Sequence, residues 1–399
     1  MKTPLLSYDE AAALIVAECR PSGRETVSLH DALGRVLCGD MVSPIDMPLF
    51  DNSAMDGFAV KLSDRGIWST VIGESAAGRP FVGELKPGQA VRILTGAPVP
   101  AGSDAVVMVE DAEETGARVF WDVELLMGEN IRRQAEEFKR GTTLLKGPKL
   151  LTPAVIGLAA TIGLTQFNVC RKPKIGVLTT GDELVEPGTT LEFGQIYASN
   201  SYGIRAALIS LGISDFEMRH VADSMSETES ALMGLLDSCD AVITCGGVSM
   251  GVHDYVKPAF ESCGVEKVFW GVAVRPGQPF FFGRKGGVPV FGLPGNPVSA
   301  LVTFTMLARL GILGMIGLTT PPPKRAVLTQ GLSKKAGRLE FVRGSVLRDT
   351  LTPLGKQGSN MGSGLASANC LIHFPAEATE LRAGEVVDYT PLRWGIYEA

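Results

Sequence analysis

Acidic residues follow the ends of several short apolar segments in the second half of the sequence. Asp182 and Glu183 follow GVLTTG, Asp223 follows RHVA, and Asp254 follows ITCGGVSMGVH. A single Asp at such a position often only caps a helix or a turn. Several carboxylates beside an anion-binding loop are instead typical of a divalent-cation site, or of a site that positions water for hydrolysis. Mg²⁺ held by one or two carboxylates together with substrate phosphates is the usual arrangement.

The segment GGVSMG, which precedes Asp254, could bind an anion. Gly246, Gly247 and Gly251 allow the backbone to approach a ligand and to turn its N–H groups toward negative charge, and Ser249 lies between them. A helix that follows would add the partial positive charge of its N-terminus. Glycine-rich turns between strands and helices are common, however, so this loop by itself fits a tight turn equally well.

A second candidate region is FGLPGNPVSALVTF, together with the upstream loop RPGQP. Asn296 as an N-cap and Pro297 at the first helical position are good helix-start residues, which fits a purely structural role. Ser299 lies one turn into the helix and could face an anion. Arg275 and Gln278 lie on the Pro-Gly loop and offer a cation and an amide to the same region.

Alternating strands and helices are the elements that must position these residues. From residue 174 onward, the apolar segments KIGVLTTG, DFEMRHVAD and DAVITCGG alternate with helical segments such as SNSYGIRAALISLG. Ser226 and Glu229 are predicted to cap the second of these helices. The alternation predicts a parallel sheet covered on both faces, and ligands bind beyond the carboxyl ends of the strands in such sheets.

Outside the alternating segments, the sequence predicts two separate helices, two β-rich regions and one long apolar helix. Ser7 and Glu10 predict a capping box before a helix over residues 11–19, and residues 154–162 predict another helix. Residues 44–141 are predicted to form short strands separated by Gly/Pro turns. The same pattern follows the three consecutive prolines at 321–323. The apolar segment 298–317 is long enough to span a membrane, but Arg309 interrupts it, so we expect a buried or interface helix.

Composition narrows the functional classes. The chain has 399 residues, which favours several domains, and a net charge of −6 without blocks of like charge, which argues against a nucleic-acid partner. The first residues lack the features of a signal peptide, and the seven cysteines contain no CxxC pair, so we expect a cytoplasmic protein with reduced thiols. Cys245 is predicted to be core. The four histidines have no ligand spacing and are expected at the surface or in turns: His30, His220, His253 and His373.

Seven motifs, occurring in order over essentially the whole chain, carry a family resemblance. They are DNSAMDGFAV, RILTGAPVPAGSDAVVMVED, NIRRQAEEF, TTGDEL, ITCGGVSMGVHDY, RPGQP and LPGNPVSA. Together they closely resemble MoeA-type molybdopterin molybdenumtransferases, the family that includes the gephyrin E domain. Several of these motifs are too long to match by chance.

The resemblance implies a multidomain α/β plus β protein with an elongated protomer that forms a homodimer. A MogA-like doubly wound α/β molybdopterin-binding domain would comprise residues 1–24 and 173–320, and a linking α+β dimerisation domain residues 25–43 and 142–172. A loop-rich β domain would comprise 44–141, and a small C-terminal β-barrel 321–399. The implied partners are a MogA-type adenylyltransferase and molybdoenzyme maturation proteins, with neither nucleic acid nor membrane among them.

The implied activity is insertion of molybdenum from molybdate into adenylylated molybdopterin, with Mg²⁺ present and AMP released. Asp56, Glu183, Asp223 and Asp254 fall on the family's catalytic positions, and the last three also on its metal positions. Positions that bind the substrates are implied for Thr95, Gly181, Gly246, Gly247, Ser249, Gly251, Arg275, Gln278, Pro294, Pro297, Ser299, Arg133, Glu137, Arg338, Arg343 and Ser359.

Departures from the family pattern keep alternatives open. The family's Lys-Pro-Gly-Lys-Pro is Arg275-Pro-Gly-Gln278-Pro here, which keeps one cation as a guanidinium able to grip an oxyanion in bidentate fashion and loses the other. Its Gly-Glu-Asp is Ala135-Glu136-Glu137, which keeps the charge on a longer arm. The alternatives are a tungstate-preferring or weakly active paralogue, a non-catalytic molybdopterin-binding scaffold, and a hydrolase of nucleotide-like pterins. Adjacent Arg132 and Arg133 are as compatible with a solvated surface as with a phosphate site.

Overall fold

The computed structural model describes residues 5–247, 255–355 and 357–392. The chain divides into two compact units. The larger unit comprises Met1–Gly39, Pro148–Pro153 and Gln166–Ala399, and the smaller unit comprises Asp40–Gly147 and Ala154–Thr165. Of the residues predicted above, Ser249, Gly251, His253 and Asp254 lie outside the described residues.

A six-stranded mixed sheet is the centre of the larger unit. Four strands are parallel, and two further strands form an antiparallel edge. All five residues of the strand that precedes Gly246 are buried, as expected for a parallel strand with both faces covered. The parallel sheet is therefore confirmed. In spatial order its strands are Phe216–Val221, Ile175–Thr180, Ala241–Cys245, Val288–Leu293, Phe281–Lys285 and Glu266–Trp270.

Helices cover both faces of this sheet. Successive residues of one strand point to opposite faces, so Val177 packs in the same core cluster as Leu208, and Leu178 packs in the other cluster with Leu235. Cys245 lies in the first cluster as predicted, and burial raises the pKa of its thiol to about 12. The helices of this unit are Tyr8–Glu18, Ser199–Ser210, Met225–Ser238, Val256–Ser262, Pro297–Thr303, Arg309–Met315 and Gly362–Ala366.

Two predicted helix starts have different outcomes. The capping box is confirmed, because the Ser7 hydroxyl accepts from the backbone N–H of Glu10 and the Glu10 carboxylate accepts from that of Ser7. The cap predicted at Ser226 is wrong. The helix begins at Met225, and the hydroxyl of Ser224 accepts from the backbone N–H of Glu227. The chain enters the helix two residues earlier because Ser224 already has the extended conformation of an N-cap.

The apolar segment after Pro294 forms a continuous helix over Pro297–Met315, in which residues Phe304–Ala308 form a π-helical turn. Among the described residues it is the one helix long and apolar enough to cross a membrane. Of its most apolar stretch of 18 residues, 83% is buried inside the protein. The prediction of a buried helix is therefore confirmed.

The C-terminal part of the larger unit is a small closed β-barrel, as predicted. Its barrel strands pair in a ring, since the first also pairs with the last. Leu328, Leu351 and Ile372 form its core, each with no exposed surface. In ring order, the strands are Leu339–Leu347, Thr350–Pro353, Lys324–Leu328, Val386–Pro391 and Cys370–Phe374.

The surface position expected for His373 is wrong. His373 lies on a barrel strand with 9% of its surface exposed, its ring meets the ring of Phe341 edge-on, and its Nε2 atom is 2.8 Å from Oγ1 of Thr390. Burial lowers the pKa of His373 to about 4, so the ring is neutral at physiological pH. His30 and His220 are exposed.

Shorter strands complete the larger unit. A four-stranded antiparallel sheet has the order Arg24–Ser28, Gln166–Cys170, Val36–Leu37 and Lys149–Leu150. Two-stranded pairs are formed by Leu184–Val185 with Ile196–Tyr197 and by Leu332–Ser333 with Glu380–Leu381. Val274–Arg275 pairs in parallel with the first two residues of the barrel strand Leu339–Leu347.

The smaller unit is rich in β-structure, and Trp121 and Phe58 lie in its core with almost no exposed surface. The predicted helix is confirmed at Pro153–Thr161. The main sheet has the order Ala105–Met108, Gly57–Val60, Gln89–Ile93, Ser69–Ser75, Arg118–Trp121 and Ala112–Thr115, and the short pairs are Asn52–Ser53 with Ile131–Arg132 and Met41–Val42 with Thr143–Leu145. The division into four domains stays a prediction.

Candidate functional site

A cleft of about 580 Å³ opens at the carboxyl ends of the parallel strands in the larger unit, and we call it the sheet-end cleft. Its position is the one that open parallel sheets reserve for ligands. The predicted acids Glu183 and Asp223 both line it. The other predicted residues that line it are Gly181, Gly246, Gly247, Pro294 and Pro297.

A hydrogen bond between two strand ends positions one of these acids. The backbone N–H of Asp223 donates to Oδ1 of Asp182 at 2.9 Å, which ties the end of strand Phe216–Val221 to the end of strand Ile175–Thr180. Gly181 has a φ of +146°, and a Cβ atom there would lie 2.7 Å from Oε2 of Glu183. Glycine therefore lets the Glu183 carboxylate lie close over the backbone at this turn.

Glycine also forms the floor of the sheet-end cleft. Gly246 and Gly247 have φ angles of +93° and +67°, in the left-handed region that glycine adopts without strain. The Gly246 N–H donates to the carbonyl of Leu293 at 3.1 Å, and a Cβ atom on Gly295 would lie 3.6 Å from the Gly246 Cα atom. The ends of two neighbouring strands thus meet without side chains between them, which leaves the backbone accessible to a ligand.

The donor set of the sheet-end cleft suits a hard cation. Glu183 and Asp223 supply carboxylate oxygens, and a bound substrate phosphate would supply further oxygens, which is how proteins usually hold Mg²⁺. Over residues 5–247, 255–355 and 357–392, no group of three or more His, Cys, Asp or Glu side chains is arranged to hold a metal by itself. The third predicted ligand, Asp254, lies outside those ranges.

A second cleft of about 630 Å³ lies next to the barrel in the larger unit, and we call it the arginine cleft. Arg338 donates from Nη1 to Oε1 of Gln278 at 2.8 Å, and Arg275 donates from Nη1 to Oε1 of Glu340 at 3.2 Å. The predicted residues that line this cleft are Arg275, Gln278, Ser299, Arg338 and Ser359. Basic side chains beside serine hydroxyls are suited to binding an oxyanion.

The two clefts adjoin each other. Pro279 lines both of them. Asn296 lines the sheet-end cleft, and its side-chain amide is 3.5 Å from the hydroxyl of Ser359 in the arginine cleft. Asn296 is the N-cap of the long helix as predicted, but its side chain makes this contact and does not cap the helix backbone. Ser299, on the same helix, is 4% exposed and faces the second cleft.

Arg343 supports the arginine cleft from within the barrel. Only 2% of its surface is exposed, and its Nη1 atom donates to the carbonyl of Gly358 at 3.2 Å. Gln357 accepts from the Arg343 N–H and donates to the Arg343 carbonyl. These bonds hold the loop that carries Ser359. The family resemblance implied that Arg343 binds substrate, whereas the structure places it behind the cleft lining. The motifs did not point to Gln357 or Glu340, whose roles depend on strand pairing that no local pattern reveals.

In the smaller unit, Asp56 and Thr95 form a tight pair. The Asp56 carboxylate accepts from the Thr95 backbone N–H at 2.6 Å and from the Thr95 hydroxyl at 2.7 Å. The Thr95 hydroxyl and N–H lower the pKa of Asp56, so the carboxylate is ionised at neutral pH. The structure thus brings together two predicted residues that lie 39 positions apart, in the motifs DNSAMDGFAV and RILTGAPVPAGSDAVVMVED.

Arg133 belongs to a different cluster of the smaller unit. It donates to Oδ2 of Asp51 at 2.7 Å, and the backbone N–H of Gln134 donates to the other carboxylate oxygen. Arg133 and Glu137 are both exposed. Ala135 between them has a φ of +62°, which is unfavourable for a residue with a Cβ atom.

Comparisons with known proteins identify the family. Family models match residues 6–163 as "MoeA N-terminal region (domain I and II)", residues 176–311 as "Probable molybdopterin binding domain", and residues 325–392 as "MoeA C-terminal region (domain IV)". A Haemophilus influenzae protein named molybdopterin molybdenumtransferase is 38% identical, over 97% of this chain and 98% of its own. This chain belongs to the MoeA family.

Other MoeA relatives agree in extent and fold. Molybdopterin molybdenumtransferase 2 of Mycobacterium tuberculosis is 38% identical over 94% of this chain and 96% of its own. The crystal structure of the molybdopterin biosynthesis MoeA protein of Pyrococcus horikoshii OT3 superposes with a TM-score of 0.84 at 28% identity, covering 97% of this chain and 100% of that one. The multidomain MoeA fold expected from the motifs is therefore confirmed.

Proposed function

We propose that this MoeA-family chain is a molybdopterin molybdenumtransferase that inserts molybdenum from molybdate into adenylylated molybdopterin and releases AMP in the presence of Mg²⁺. The observation that carries the proposal is the adjacency of the two clefts. An acidic, glycine-floored cleft suited to a phosphorylated substrate shares Pro279 with an arginine-lined cleft suited to an oxyanion. The phosphorylated substrate and the oxyanion would thus be held side by side.

The sheet-end cleft would hold the pterin substrate. The backbone at Gly246 and Gly247 is open to approach by the pterin phosphate, and Ser249 and Gly251 are proposed to continue this loop. Glu183 and Asp223, with Asp254 as the proposed third acid, would hold Mg²⁺, which neutralises charge on phosphate oxygens when bound. The same carboxylates would orient the water that attacks the phosphoanhydride, so that AMP leaves and the phosphate stays on the pterin.

The arginine cleft would receive molybdate as substrate. Arg275 and Arg338 supply guanidinium groups, and Ser299 and Ser359 supply hydroxyl donors. Gln278 occupies a position where the family pattern has lysine. Because its side-chain oxygen accepts from Arg338, the amide orients a guanidinium in this chain, whereas a lysine could not accept that hydrogen bond.

The remaining proposals rest on the family resemblance. In a homodimer, the loop that carries Asp56 and Thr95 would serve the cleft of a partner subunit, with Arg133 and Glu137 on a neighbouring loop. A MogA-type adenylyltransferase would supply the adenylylated substrate, and molybdoenzyme maturation proteins would receive the product, in the cytoplasm.

The test is release of AMP from adenylylated molybdopterin by purified protein with Mg²⁺ and molybdate. We expect molybdate-dependent release in the wild type and a loss of at least about 100-fold in Glu183→Ala and Asp223→Ala, as is typical when groups that position water or metal are removed. Wild-type activity in both variants would refute the roles of the two acids. Tight pterin binding with no AMP release in the presence of either molybdate or tungstate would instead support a non-catalytic molybdopterin-binding scaffold.

A further inference from the structure

One cation of the arginine cleft is already engaged by a carboxylate of the same chain. Strand Val274–Arg275 pairs in parallel with Leu339–Leu347 so that Arg275 lies opposite Glu340, and the two side chains form an ion pair at 3.2 Å. The Glu340 side chain is 17% exposed, and the Arg275 side chain is 62% exposed. Strand register thus fixes the carboxylate at the cleft wall and leaves the guanidinium free to swing toward solvent.

We propose that Glu340 is an affinity-determining residue of the oxyanion site, which competes with the bound oxyanion for Arg275. The inference rests on the proposed function of the arginine cleft. A carboxylate and a tetrahedral oxyanion are acceptors for the same guanidinium N–H groups, so Arg275 must leave Glu340, at least in part, to grip an oxyanion. A half-exposed ion pair is weak enough to be exchanged in this way.

The second cation of the cleft is held differently. Arg338 bonds to Gln278, a neutral amide that uses one of its five N–H donors and leaves the others for a ligand. Arg338 can therefore bind an oxyanion without giving up its existing partner. Among the described residues that line the cleft, the charged side chains are Arg275, Arg338 and Glu340, so the local balance is one net positive charge.

This arrangement suits transfer better than storage. A dianion such as molybdate displaces Glu340 from Arg275 but then lies close to that carboxylate, and the repulsion between them limits its affinity. Glu340 would thus keep the oxyanion exchangeable until the neighbouring sheet-end cleft presents the pterin.

The experiment is calorimetric titration of the full-length protein with sodium molybdate at low ionic strength. In Glu340→Gln we expect the Kd for molybdate to fall about 10-fold, since a neutral amide competes for Arg275 more weakly than a carboxylate does and does not repel a dianion. The matched control is Asp388→Asn, which removes the same charge from an exposed ion pair with Arg325 on the same barrel. There we expect a change of less than about twofold, because Asp388 does not line the arginine cleft and pairs with Arg325 instead of a cleft arginine.

Two further variants separate competition from a general charge effect. In the Arg275→Ala background the competition for Arg275 is absent and only the repulsion between Glu340 and the dianion remains, so Glu340→Gln should change the Kd less than about threefold. An equal effect in both backgrounds would overturn the competition. Should Glu340→Gln fail to fold by circular dichroism, Glu340→Asp, whose shorter arm weakens the pair, is expected to lower the Kd about threefold, and an unchanged Kd would overturn the inference.

The outcomes also distinguish this inference from the proposed function. If the wild-type protein binds no molybdate at concentrations up to the millimolar range, the proposed oxyanion site itself is refuted. Wild-type protein that binds molybdate, with Glu340→Gln binding equally or more weakly, would leave the oxyanion site standing and refute the role of Glu340.

Discussion

Removing the Asp182 carboxylate should slow AMP release by displacing Asp223. The bond from the Asp223 N–H to Asp182 Oδ1 is 2.9 Å long and charge-assisted, a class that contributes about 1.5–3 kcal/mol when shielded from water. This bond is exposed, so we expect a contribution at or below the lower limit of that range, about 1–1.5 kcal/mol, which corresponds to about a 5- to 13-fold loss of rate if Asp223 must be in place in the transition state. Asp182→Ala should therefore lose about 10-fold in kcat, measured as AMP release at saturating molybdate and pterin.

Two variants control this experiment. Asp182→Asn keeps a side-chain oxygen that can accept the same N–H and should stay within about threefold of the wild type. Asp215→Ala removes an exposed carboxylate just before strand Phe216–Val221, at the opposite end from Asp223, and should leave the rate unchanged. A rate for Asp182→Ala within twofold of the wild type, or an equal loss in Asp182→Asn, would refute the positioning of Asp223 by this hydrogen bond.

Two predictions concern stability. Ala135→Gly should raise the free energy of unfolding of the smaller unit by about 1 kcal/mol. The φ of +62° costs a residue with a Cβ atom about 1–2 kcal/mol, and the greater flexibility that glycine gives the unfolded chain offsets part of the gain. Chemical denaturation measures the change, and a loss of stability would contradict the prediction. Burial lowers the pKa of His373 to about 4, so the unfolded state binds the proton of this ring more readily than the folded state. The free energy of unfolding should therefore be constant above about pH 6.5 and should fall by up to about 3 kcal/mol as the pH is lowered from 6.5 to 4. Thermal unfolding across this range should show a smaller fall in His373→Gln, and identical pH profiles would exclude His373 as the cause.

Local patterns predicted the elements that build the sheet-end cleft. Apolar runs that end on glycine predicted the parallel strands, and the Pro-Gly turn with Asn296 predicted the start of the long helix, because both signals lie within a few residues of chain. The same local reasoning failed at Ser226, where two serines within three residues offer competing caps and only Ser224 has the extended backbone that a cap requires.

Long-range pairing explains what the sequence could not predict. His373 is buried because barrel closure brings its strand beside Leu339–Leu347, about 30 residues earlier in the chain. Glu340 acquires a role only because strand register sets it opposite Arg275, 65 residues away. The family resemblance named candidate residues on both clefts, but the ion pair, the Arg338–Gln278 bond and the supporting role of Arg343 depend on tertiary contacts.

The most direct test of the account is the stoichiometry of metal transfer. Purified protein would be incubated with adenylylated molybdopterin, Mg²⁺ and isotopically enriched molybdate, and the pterin product separated and analysed by mass spectrometry for molybdenum alongside released AMP. We predict one molybdenum on the pterin for each AMP released, with no release when molybdate is omitted. AMP released without molybdenum on the pterin would contradict transfer and indicate a hydrolase.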